Sequence, residues 1–150
     1  MIEPNCRITT RTRIAIQARV DTIIEARKKG ETDSYVVLVV EHKTPGTLVK
    51  KEWVMGLATD HMLRGNAKDI SKQCRKYLKG ANLNMICIYD SCALVGLLVS
   101  WDDEPLWASD MDIPAHIFFE HESSKFLSTL LALSELGIEG AGIERAQLEI

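Results

Sequence analysis

The chain has 150 residues, 46% hydrophobic and 26% charged, a composition that excludes a disordered or fibrous protein and suits one domain with its own core. No apolar run reaches the ~20 residues that span a bilayer, so no membrane-spanning helix is expected in it. The net charge of −3 hides an asymmetry: 16 Lys+Arg against 9 Asp+Glu through Gly80, then 2 against 12 from Ala81 onward, which points to one basic working surface and one acidic face.

Ile8 to Ile24 is rich in β-branched residues, with alternation in Arg11-Thr12-Arg13-Ile14-Ala15-Ile16, and predicts one or two strands ending near Ile24. Lys28 to Ser34 is a polar turn region. Tyr35 to Val40 is apolar at both parities, which predicts a central strand covered on both faces. Thr44-Pro45-Gly46 ends it. Leu48 to Met62 predicts a helix with Trp53, Leu57 and Met62 on a stripe, and a second helix is predicted from an Asn66 cap to Gly80. Met85 to Tyr89 and Ala93 to Trp101 predict two strands joined at Asp90-Ser91. Asp102 to Pro114 reads as an acidic loop carrying Trp107. Ser123-Ser124 caps a last helix through Leu136, with Phe126, Leu127, Leu130, Leu131 and Leu133 largely buried, and 137–150 reads as a loose tail. The whole, 1–150, is expected to be a single α/β domain with a mixed central sheet flanked by helices.

The predicted central strand runs on into Glu41-His42-Lys43. Residues two apart share a face of a strand, so a carboxylate and an ammonium emerge side by side from the core, where charges are costly unless paired or holding a metal. A hairpin turn centred between Gly30 and Thr32 puts Asp21 opposite Glu41 or one residue from it, and two carboxylates so close need a cation or a proton between them. Converging carboxylate oxygens are hard ligands that suit Mg²⁺ or Mn²⁺, and Lys43 beside them can orient a water or neutralise charge building on a phosphate. These parts describe metal-assisted phosphodiester hydrolysis.

Val20-Asp21 followed by Glu41-His42-Lys43 resembles the D…(D/E)-x-K signature of the PD-(D/E)XK nuclease superfamily, and Gln73-Cys74-Arg75-Lys76-Tyr77 resembles the Q-x-x-x-Y motif of its RecB-like branch. The resemblance covers roughly 13–99 and implies a restriction-endonuclease-like core. It implies that Asp21, Glu41 and the His42 backbone carbonyl ligate the metal, that Lys43 positions the attacking water, and that Gln73 and Tyr77, on one helical face, brace the site or touch nucleic acid. Arg75, Lys76 and Lys79 on the same helix are then candidates to neutralise phosphates of bound DNA or RNA. Two features depart from the family pattern. Almost nothing precedes Cys6 where a helix bearing an acidic residue is common, so that only Glu3 would stand in. Val20 replaces the motif proline.

Other motifs point nowhere else. There is no phosphate-cradling G-x-x-x-x-G-K-[ST] and no G-x-S-x-G elbow. His42 is expected to point away from Glu41, and His61, His116 and His121 have no zinc spacing. The tryptophans read as core or interface residues. Four cysteines without paired metal spacing and a first segment unlike a signal peptide predict reduced thiols and an intracellular protein, in cytoplasm or nucleus, with Cys87 and Cys92 as small core residues. The expected function is a metal-dependent nuclease; the alternative is a nuclease-like module that binds nucleic acid or protein without cutting. A third reading is a structural domain that forms a homodimer through the Trp107 loop and last helix.

Overall fold

The computed structural model describes residues 22–27, 29–32, 34–81, 83–99 and 113–140. They form an α/β fold in which a six-stranded mixed sheet carries two packed helices. In chain order the elements are β1 (Thr22–Ala26), β2 (Tyr35–His42), β3 (Gly56–Ala58), α1 (Gly65–Ala81), β4 (Met85–Tyr89), β5 (Leu94–Val99), β6 (Ala115–Glu120) and α2 (Phe126–Gly140). The strands lie in the order β1-β2-β4-β5-β6-β3, so β2 and β4 are interior and β3 closes the far edge. All pairings are antiparallel except β2 with β4, which is parallel because α1 carries the chain back between them.

β2 is apolar at both parities because both its faces are covered. Val37 and Val39 pack on one side with Ile70, Cys74 and Leu78 of α1. Leu38 and Val40 pack on the other with Leu133 of α2. α2 comes closest at Gly137, where a Cβ would lie 1.8 Å from the Val37 carbonyl oxygen. Only glycine permits that approach.

The β1–β2 hairpin has the register of a turn centred on Glu31: Thr22 faces Val40, Ile23 faces Val39 and Ile24 faces Leu38, with a shift between Ile24 and Glu25. Asp21, assigned a metal-ligand role, lies outside the described residues, as do the predicted strand before it, Val20 and the Trp107 loop.

Several expectations are corrected. Leu48 to Met62 is not a helix: two single 3₁₀ turns, Lys50–Glu52 and Asp60–Met62, flank β3. Gly56 takes φ +87, which a helix cannot accommodate, and Trp53 anchors the segment from an extended conformation. Leu57 and Met62 are accordingly exposed. α1 begins at Gly65 and includes Gly80, so neither Asn66 nor Gly80 caps it. β6 was not predicted. α2 continues to Gly140, past the predicted stop, and Leu127 and Leu131 face solvent, because only the side bearing Phe126, Leu130 and Leu133 meets the sheet. Cys87 is a core residue, but Cys92 is exposed in the β4–β5 turn.

Candidate active site

Glu41 ends the apolar run of β2 and shares a face with Val37 and Val39, so its side chain emerges where α1 crosses the sheet. Lys43 follows two positions later on the same side, and its Nζ lies 3.5 Å from Glu41 Oε1. Each side chain is about a quarter exposed, at 24% and 25%. The second carboxylate oxygen, Oε2, accepts a hydrogen bond from the Cys74 thiol of α1 at 3.7 Å. Burial first, and then the neighbouring Glu41 carboxylate, push the Cys74 thiol well above its ordinary pKa, which keeps it protonated as the donor. Cys87, buried under α2, is pushed up to about 12 by burial.

His42 points to the opposite face, as alternation requires. Its Nε2 shares a hydrogen bond with Thr22 Oγ1 at 3.3 Å, and its ring meets Tyr89 edge-on at 5.8 Å. Tyr89 in turn packs edge-on against Phe126 of α2. The backbone at His42 is placed differently. The Lys43 N–H donates to Tyr89 O at 2.8 Å, so the His42 carbonyl, one residue earlier on the strand, is directed to the β1 side.

The chain leaving Lys43 is held by Asp90, fully buried at the end of β4. Asp90 Oδ2 accepts the Gly46 and Leu48 N–H groups at 3.1 and 2.9 Å, and Oδ1 accepts those of Cys92 and Ala93 at 2.8 and 2.7 Å. One carboxylate thus joins the exit of β2 to the β4–β5 turn, where Ser91 is bent to φ +73. Sequence reading saw only a turn residue here. An aspartate followed by Ser-Cys is the signal for side-chain capping of such a turn.

The predicted helix residues separate. Gln73 is exposed and Tyr77 is half-buried against the core. The α1 residue that touches Glu41 is Cys74, inside the motif but not one of its two named positions. Arg75, assigned to phosphate binding, is 1% exposed, so its charge is unavailable to a ligand. Its Nε pairs with Asp60 Oδ1 at 2.7 Å, and its Nη atoms donate to the Ile113 and Ala58 carbonyls. Ser71, one turn earlier on α1, donates to the same Asp60 oxygen. Burial holds the Asp60 carboxyl above its ordinary pKa, against the opposing pull of Ser71 and Arg75. Lys76 and Lys79 are exposed, and with Lys68 and Lys72 they form a basic row on the outer side of α1.

Among the described residues no group of three or more His, Cys, Asp or Glu side chains is gathered as a metal site requires, and no helix is long and apolar enough to cross a membrane. His61, His116 and His121 are all exposed. The structure therefore brings together Glu41, Lys43 and Cys74, directs the His42 carbonyl toward β1, and separates Arg75 from the predicted set. No family model, curated protein or solved structure matches the chain.

Proposed function

We propose that this α/β domain has a restriction-endonuclease-like core and is a metal-dependent nuclease acting on DNA or RNA phosphodiester bonds. The observation that carries the reading is the Glu41–Lys43 pair at the exit of β2: a carboxylate and an ammonium 3.5 Å apart on one face, each about a quarter exposed. The hairpin register supports it: Thr22 lies opposite Val40, the register in which the next pair outward would be residues 21 and 41. A hard carboxylate oxygen at Glu41 and a backbone carbonyl at His42 are donors that suit Mg²⁺ or Mn²⁺, with Asp21 as the further carboxylate. The bound cation would supply Lewis acidity to the phosphoryl oxygen and lower the pKa of a bound water. Lys43 orients that water and opposes charge developing on the phosphate. The outer lysine row of α1 holds the nucleic-acid backbone by charge, and Gln73 and Tyr77 brace the helix over the site.

A second reading is a nuclease-like module that binds without cutting. It is favoured by one feature: both Glu41 oxygens are engaged by the chain itself, one by Lys43 and one by Cys74. Incubating the protein with plasmid and with single-stranded RNA, in Mn²⁺ or in EDTA, separates the two. The nuclease reading expects cleavage in Mn²⁺ alone and its loss by at least about 100-fold in Lys43→Ala, the scale on which a transition-state charge stabiliser is felt. Cleavage by Lys43→Ala at the parent rate would remove the site assignment. Salt-dependent binding with no cleavage by the parent would establish the binding module.

A further inference from the structure

Glu41 follows the apolar Val37 and Val39 on one face of β2, which packs with Ile70, Cys74 and Leu78 of α1, and Cys74 reaches its carboxylate. A carboxylate oxygen turned toward such a surface loses its water and needs a donor from the protein. Among the described residues, the donor that reaches Oε2 is the Cys74 thiol. We infer that Cys74 is the positioning residue of this site, holding Glu41 Oε2 against α1 so that Oε1 faces Lys43 and the open end of the strand.

The two partners of the carboxylate are unequal. Lys43 is a flexible side chain, a quarter exposed, whose attraction is screened by solvent. Cys74 is 2% exposed, and its sulfur has one rotatable bond in a packed surrounding, so it is held far more tightly than the Lys43 ammonium. The orientation of the carboxylate is therefore set from the helix, and Lys43 responds to it. Serine at this position would keep a donor in nearly the same volume, whereas alanine would leave Oε2 facing an apolar wall.

The metal consequence rests on the nuclease reading; the contact does not. The test therefore has two readouts on the full chain, with the thermal midpoint recorded for each variant. The first is the side-chain carboxyl ¹³C resonance of Glu41 in glutamate-labelled protein, assigned with Glu41→Gln. The second is Mn²⁺ affinity by titration calorimetry. Cys74→Ala is expected to shift the Glu41 resonance and to weaken Mn²⁺ binding roughly threefold to tenfold, the effect of losing one modest hydrogen bond. Cys74→Ser is expected to restore both. Should Cys74→Ala not fold, Cys74→Val serves as the donor-free variant. A folded donor-free variant with an unmoved resonance and parental Mn²⁺ affinity overturns the inference. If the parent binds no Mn²⁺ while the resonance still moves, the positioning contact stands and the metal site falls.

Discussion

Arg75 and Lys76 are adjacent in the chain and carry the same charge, yet they have opposite fates. The hundred-degree step between successive helical residues is enough to put Arg75 inside and Lys76 in solvent. Arg75 joins α1 to β3, through Ala58, to the approach to β6, through Ile113, and to the 3₁₀ turn carrying Asp60. Removing one partner of such a buried pair leaves an uncompensated charge. Arg75→Met is accordingly expected to lower the unfolding free energy by about 3–5 kcal/mol, whereas Lys76→Ala should stay within ~0.5 kcal/mol. Urea denaturation of the two variants checks this, and equal midpoints would contradict the assignment. The difference was readable in principle: Ala67, Ile70, Cys74, Leu78 and Ala81 set the phase of the helix, and Ser71 and Arg75 form a row on its flank. A motif read as letters does not contain that phase. The same limit hid Cys74, because a sequence pattern does not say which helix residue overlies the end of a strand 33 positions earlier.

At the level of elements, what was legible followed from periodicity and turn chemistry. The apolar run of β2 and the β4–β5 hairpin were read correctly because each depends on local pattern and a polar turn, and the β1–β2 register matches from Thr22 to Ile24 before an unforeseen shift at Glu25. Leu48 to Met62 misled because its apolar spacing suits a helix, while Gly56 at positive φ and the attraction of the β6 edge decide otherwise. β6 carried a usable signal: in Ala-His-Ile-Phe-Phe-Glu the first five positions alternate buried and exposed, although two adjacent phenylalanines mask the period. The two helices make opposite predictions about glycine. A Cβ at Gly137 would sit 1.8 Å from Val37 O, while at Gly80 it would meet nothing within 4 Å. Gly137→Ala is therefore expected to destabilise by about 3 kcal/mol or more, as backbone must move. Gly80→Ala should stabilise by roughly 0.5 kcal/mol, through lost freedom of the unfolded chain. Thermal midpoints moving in the same direction would refute the pair.

Considered as one molecule, the described residues cover one side of the second helix and leave the other exposed. Leu127 and Leu131 are 69% and 59% exposed, one turn apart on α2, and Leu57 and Phe118 are exposed on the β3–β6 edge. These residues contribute little to the folded state as described. The double variant Leu127→Lys and Leu131→Lys should leave the unfolding free energy within about 1 kcal/mol, measured by denaturant titration; a larger loss would mean that the helix buries this side.

The placement of β3 also has a consequence for synthesis. Gly56–Ala58 emerges early but pairs only with Ala115–Ile117. At ~5–20 residues per second, the ribosome needs roughly 3–12 s to make the intervening ~60 residues. During that interval β1, β2, α1, β4 and then β5 can assemble while the far margin of the sheet is still unmade. The nascent chain therefore carries an open edge at β5, with Leu94 to Val99 unpaired on one side. That is the stage at which it is most open to pairing with another chain or to capture by a chaperone.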